Sequence, residues 1–247
     1  MHIYDTLIIG SGYAALGYAI KNGNTLICEE RESADTHFYL SFSGFKRGRY
    51  IAKTPEGKEL NSLYEKLGLF SENEQNASGF ECGFCSFAER VGAEILLKSR
   101  VIDQKELDGY TEVSVVSNAG IEKMFAQRVI DMRPKGKDAR ITLLFSANDI
   151  SELSEVEAIF PESEIESAFY EGRYALHTPI AANTSYTDAF SNICSEWSKI
   201  KGAKMLYVAP VLEYKGIGAS IPRDNDFTSP IEALEAGMKY AERKEKC

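Results

Sequence analysis

The stretch Thr6-Leu7-Ile8-Ile9-Gly10-Ser11-Gly12-Tyr13-Ala14-Ala15, with Thr25-Leu26-Ile27-Cys28-Glu29-Glu30 shortly after it, decides how this chain of 247 residues is read. Thr6 to Ile9 is a short, continuous, largely apolar run, as expected of a strand buried on both faces in a parallel sheet. It leads directly into Gly10-Ser11-Gly12. Tyr13 to Lys21 is rich in Ala and Leu and reads as a helix. Asn22-Gly23-Asn24 stops it, Gly23 being suited to the left-handed position just past a helix end. Thr25 to Cys28 reads as a second buried strand, ending at the acids Glu29 and Glu30.

Gly10 to Ala15 fits G-x-G-x-x-A between a strand and a helix, and each position has a physical reason. Gly10 permits the tight turn, Gly12 lacks the Cβ that would keep a pyrophosphate off the backbone, and Ala15 lets the helix lie close to the strand. The N–H groups at the helix start, around Ser11, Tyr13 and Ala14, and the positive dipole end are suited to phosphates. An acid ending the second strand can accept hydrogen bonds from adenosine ribose hydroxyls. Glu30 is the first choice and Glu29 the second, with Arg31 beside them. An acid here argues against a 2′-phosphate, hence against NADP. Buried strand, helix, second strand and terminal acid together predict a dinucleotide site.

Farther along, Leu60 to Phe70 has helical spacing, Cys85 to Val91 reads as a helix and Ala93 to Leu97 as a strand. Glu112 to Ser117 and Lys123 to Val129 read as strands around the turn Asn118-Ala119-Gly120, and Arg128 to Asp131 closes the second. Ile141 to Phe145 is a strand, Thr187 to Ile200 a helix and Met205 to Ala209 a strand. The last helix has Ser229 as N-cap, Pro230 at its first position and Glu232 completing a capping box. Ile231, Leu234, Met238 and Ala241 form its apolar stripe.

Bulk composition bounds the function. With 44% hydrophobic and 26% charged residues the chain is ordinary for a soluble globular protein. A net charge of −9 and a pI near 5.1 argue against nucleic-acid or anionic-membrane partners. No apolar run approaches the roughly 20 residues that cross a bilayer. Asp5 stands where a secretory leader would be positive, so a cytoplasmic location is expected. Cys28, Cys82, Cys85, Cys194 and Cys247 are then expected to be reduced. No spacing among them predicts a metal site.

Three separated stretches resemble the two-dinucleotide-binding-domain flavoproteins, the FAD-dependent oxidoreductases of the glutathione-reductase-like superfamily. Asp5 to Glu30 matches the first, with a helix about one turn shorter than the family's. Gly92-Ala93-Glu94-Ile95, Val101, the Glu112–Val129 hairpin and Val129-Ile130-Asp131 follow the family's order of strand, adenine-contacting valine, β-meander and closing strand. Glu232 to Ala241 is similar to its C-terminal helix. The resemblance implies FAD as cofactor, Val101 at the adenine, and Asp224 or Asn225 in place of the family's Gly-Asp segment. No second G-x-G-x-x-G is present for NAD(P)H.

The fold expected is α/β: a Rossmann-like FAD/NAD(P)-binding fold with a three-stranded β-meander and a small inserted substrate region. Residues 1–134 and 201–247 would form a discontinuous FAD-binding domain, and 135–200 the substrate or cap region. Cys82-Gly83-Phe84-Cys85 at a helix start reads either as a dithiol or as small residues in a loop and helix start. His177, in a loop-like stretch, reads either as a proton donor or as a structural histidine. Lys46, Arg47 and Arg49 read as phosphate contacts or as a solvated basic loop. Tyr39, Phe42, Phe45 and Tyr50 among them read as ring-stacking or core aromatics. Three functions fit: an FAD-dependent oxidoreductase acting on a small molecule, a degenerate non-catalytic FAD- or nucleotide-binding protein, or a flavin-linked dithiol oxidoreductase using Cys82 and Cys85.

Overall fold

Tyr4–Ile9 forms strand β1, Tyr13–Asn22 helix α1 and Thr25–Cys28 strand β2. They belong to a computed structural model that describes residues 2–42, 50–71, 75–136, 138–168, 170–181, 183–214, 216 and 220–245. β1 and β2 pair in parallel, from Thr6 against Thr25 to Ile9 against Cys28. Both faces are covered: Leu7, Ile8, Leu26 and Ile27 are all buried. Gly23 closes α1 at φ 71°, its N–H donating to the Ala19 carbonyl.

Helix α2 (Pro55–Lys66) starts earlier than the Leu60 periodicity indicates. Thr54 caps it by accepting the Gly57 N–H, and Pro55 takes the first position, where its missing N–H costs nothing. Leu67 to Phe70, expected inside the helix, lie past its end, where Gly68 adopts φ 69°. Helix α3 (Phe80–Arg90) and strand β3 (Glu94–Leu96) follow, β3 pairing in parallel with β2. The expected meander is β4 (Arg100–Leu107), β5 (Tyr110–Ser117) and β6 (Gly120–Asp131). β6 pairs antiparallel with β5 and then runs in parallel beside β1, as far as Asp131 beside Ile9. The six-stranded order is β3-β2-β1-β6-β5-β4.

A second sheet is antiparallel. It contains β7 (Ala139–Ser146), β8 (Glu164–Ser167), β9 (Arg173–Ile180), β10 (Lys204–Val208) and β11 (Glu213–Tyr214). Its order is β10-β7-β9-β8, with β11 also on β7. Helices α4 (Ile150–Ile159) and α5 (Tyr186–Trp197) cover one face, burying Phe145, Leu176, Val156 and Trp197 in a core of their own. Two expectations change here. The boundary drawn at residue 201 falls inside this unit, because β10 pairs with β7 and Met205 and Val208 pack on the second core. The segment around His177 is strand β9, not a loop. Tyr174 and Leu176 point to the helix-covered core, while Ala175 joins a cluster with Phe42 and Ala77 of the first unit.

Helix α6 (Pro230–Glu245) returns to the first unit with Pro230 at its first position, as expected, and crosses α1 at backbone contact. A Cβ on Gly17 would sit 1.9 Å from the Leu234 carbonyl oxygen, and one on Gly237 1.9 Å from that of Ala14. Among the described residues no helix is long and apolar enough to cross a membrane. Phe45, Lys46, Arg47, Arg49 and Cys247 lie outside the described residues.

Candidate functional site

The glycine turn sits at the C-terminal edge of β1, between the ends of β2 and β6. Gly10 and Gly12 take φ values of 92° and 146°, which residues with a Cβ rarely adopt. Ala15 is buried against Ile8, Ile27 and Ile130, so the helix lies close on the strands as its small side chain allows.

Of the two acids, Glu29 is the one that reaches the turn. Its Oε2 accepts the Ser11 N–H at 2.9 Å and the Ser11 hydroxyl at 3.1 Å, and its Oε1 accepts the Arg31 N–H at 3.0 Å. The residue is only 4% exposed. Glu30 points outward and meets Arg100 at 4.0 Å. The strand ends one residue before Glu29, so side-chain alternation sends Glu29 and Glu30 to opposite sides. One narrow crevice is lined by Gly10, Glu29, Glu30 and Val101 together. A neighbouring cleft of about 160 Å³ is lined by Glu29, Glu30, Arg31, Arg133 and Tyr214.

The start of α1 carries an anion from the chain itself. Asp224, in a short 3₁₀ turn ahead of α6, accepts the Tyr13 N–H through Oδ2 and the Ala14 N–H through Oδ1, both at 2.8 Å. A Cβ on Gly12 would lie 2.3 Å from that carboxylate. Burial pushes the Asp224 pKa up to about 6 against the pull of those two N–H groups, with Asp226 adding to the rise. Asn225 serves a different contact: its amide donates to the carbonyls of Lys135 and Tyr214, tying the 3₁₀ turn to the second sheet. The Tyr13 ring is core, packed edge-on against Phe38 and Phe84, and its hydroxyl bonds Tyr64 and Asp35. Burial, then the nearby Asp224 charge, holds the Asp35 carboxyl well above the usual range.

The remaining candidates stand apart from the turn. Cys82 and Cys85 are free, exposed and inside the first two turns of α3. Partial burial and the Glu81 carboxylate push the Cys85 thiol up to about 11, the opposite of an activated dithiol. His177 is 2% exposed; its Nδ1 bonds the Thr142 hydroxyl at 2.9 Å and its Nε2 lies 3.5 Å from Glu166. Tyr50 bonds Glu235, a structural contact between the α2 entry and α6. Tyr39 packs at the edge of the first core.

One residue at the turn escapes sequence reading. Arg133, two residues past β6, lies directly over Gly10: a Cβ there would come within 2.6 Å of its Cγ. Its Nε and Nη2 grip Asp131 at 3.0 and 2.9 Å. The only signal was its position just after a strand that ends beside β1.

No family model and no curated protein sequence matches the chain. Solved structures do. A geranylgeranyl bacteriochlorophyll reductase-like protein from Thermoplasma acidophilum superposes with a TM-score of 0.57, with 13% identity over 100% of this chain and 79% of that one. Aklavinone-11 hydroxylase, solved with FAD and aklavinone, gives 0.54 and 12% identity over 99% of this chain and 63% of that one. BexE gives 0.54 and 13% identity over 84% of this chain, which spans only 52% of BexE. The chain therefore has the Rossmann-like fold of FAD-binding flavoproteins.

Proposed function

We propose that the protein is an FAD-binding oxidoreductase acting on a small molecule. One observation carries this reading: Gly10, Glu29 and Val101, from three separate chain segments, line one narrow crevice at the C-terminal ends of β1 and β2, beside the cleft of about 160 Å³. Ligands of open α/β sheets bind at that edge. Glu29 would take the adenosine ribose and Val101 the adenine, with the phosphates against the Gly10 turn. FAD, when bound, supplies hydride chemistry; the chain supplies orientation and electrostatics. The site's organisation supports the finer assignment to the two-dinucleotide-binding-domain flavoproteins. Among the described residues Cys28, Cys82, Cys85 and Cys194 are free thiols, which fits the cytoplasmic setting we propose for it.

The test is the visible spectrum of the purified protein, before and after incubation with FAD, followed by reduction with candidate donors. Flavin absorbance that bleaches with a donor is the expected result. A colourless protein that takes up no added FAD overturns the reading. A second reading, a nucleotide-binding protein without turnover, is favoured by the Asp224 carboxylate on the two N–H groups that phosphates ordinarily use. It predicts bound flavin or ADP that no donor reduces. The Cys82/Cys85 dithiol reading draws no support from the raised Cys85 pKa.

A further inference from the structure

Within the nucleotide reading of the site, one question is which group meets the phosphate charge. The usual answer, the first N–H groups of the helix after the glycine turn, conflicts with the geometry here. The N–H groups of Tyr13 and Ala14 both donate to Asp224. The same corner also holds the carboxylates of Glu29, Glu30 and Asp131, so a phosphate entering it needs a cation that is turned its way. At an effective dielectric constant near 20, each unit charge at about 4 Å contributes on the order of 4 kcal/mol. A cation is required.

Five cations are near. Arg223, beside Asp224, is buried, reaches the Asp131 carbonyl at 3.4 Å and lines neither cavity. Arg100 is turned to Glu30 at 4.0 Å, beside Val101 at the adenine end. Lys135 is spent on Asp131 at 2.8 Å and lines neither cavity. Arg31 lines only the wider cleft. Arg133 alone among them lines both cavities, and it crosses directly over Gly10, the first residue of the turn. Its guanidinium is held from one side by two bonds to Asp131, while its side chain is 48% exposed toward the cleft. A guanidinium fixed along one edge presents its remaining N–H donors in a rigid fork, the geometry that matches phosphate oxygens.

We propose that Arg133 is the phosphate-binding cation of this site, anchored by Asp131 and set over Gly10, while Asp224 keeps the α1 N-terminus for the chain's own use.

Titrating adenosine, AMP, ADP and FAD into the protein by calorimetry tests this. Arg133→Met keeps an apolar stem over Gly10 and removes the charge; Arg133→Lys keeps the charge and removes the fork. For the parent, ADP is expected to bind at least tenfold tighter than adenosine. In Arg133→Met that advantage should vanish, with ADP and FAD weakened tenfold or more and adenosine changed less than twofold. Arg133→Lys should recover part of the loss. Equal weakening of adenosine and ADP would overturn the proposal, since it would mean a role in shaping the cavity. So would undiminished ADP binding in Arg133→Met. If the parent binds none of the four compounds, the nucleotide reading itself fails, a result distinct from either. Thermal melts of the variants, matched to the parent, separate these outcomes from misfolding.

Discussion

Glu29 and Glu30 show how much one residue of register decides. Both were legible as the acidic end of a strand, and the sequence favoured the later one. The strand ends at Cys28, so Glu29 folds back under the turn and Glu30 faces solvent and Arg100. The two carboxylates should therefore differ sharply on substitution. In Glu29→Gln an amide NH₂ must face either the Ser11 donors or the Arg31 N–H. Leaving a buried donor unpaired costs about 1–3 kcal/mol, so urea unfolding should show a loss of that size. Glu30→Gln removes one long, exposed ion pair and should stay within about 0.5 kcal/mol of the parent. Equal effects would mean that the turn is not held by Glu29. Asp224 was legible only as a stand-in for a missing motif. Nothing in its local sequence announces that its carboxylate reaches α1, because that contact spans more than two hundred residues of chain.

At the scale of elements, the glycine turn, both parallel strands, the meander and the last helix were readable, because each has local punctuation: Gly, Pro, an acid, or an Asn-Ala-Gly turn. What escaped was long-range. Gly17 and Gly237 lie inside helices with nothing local to mark their role, and they are where α1 and α6 touch backbone to backbone. Glycine in a helix interior costs about 1 kcal/mol relative to alanine, and here close approach offsets that cost. Gly237→Ala places a methyl 1.9 Å from the carbonyl oxygen of Ala14, the residue whose N–H donates to Asp224. Overpacking of this kind costs typically ~1–3 kcal/mol. We expect a loss at the upper end of that range, together with weaker nucleotide binding as the start of α1 shifts. Glu235 shows the same principle at the other side of α6: its Oε1 takes the Lys53 and Thr54 N–H groups at 2.6 and 2.7 Å, docking the helix on the entry to α2. A Gly237→Ala variant as stable as the parent would show that the two helices can part without penalty.

Among the described residues the molecule has two sheets, each with its own buried clusters, joined by a chain that leaves the first sheet after β6 and returns to that unit at the Asp224 turn and α6. The misplaced boundary at residue 201 followed from reading β10 as the returning strand; its partner β7 lies some sixty residues upstream, a pairing that periodicity does not encode. The junction between the units buries titratable groups whose demands oppose one another. Burial lowers His37 to about 4, with the Glu213 charge pulling upward and Arg140 downward. Its neutral form thus contributes stability that is present above the ordinary histidine pKa near 6.5 and lost as pH falls toward 4. Burial raises Asp224 to about 6, so its contribution is present below the ordinary carboxyl pKa near 3.9 and lost as pH rises through 6. Asp35, raised by the same cause, adds to the acid-favouring side. Stability measured by urea unfolding between pH 4 and 7 should therefore fall with pH in the parent, since His37 opposes Asp224 over the same window and Asp35 adds to the Asp224 side. Asp224→Asn should tilt the profile upward with pH, and His37→Asn should tilt it downward. Each tilt is on the order of 3 kcal/mol across the window, from about two pKa units at 1.36 kcal/mol each. Parallel profiles for parent and both variants would mean that neither group is buried in the folded protein as the junction requires.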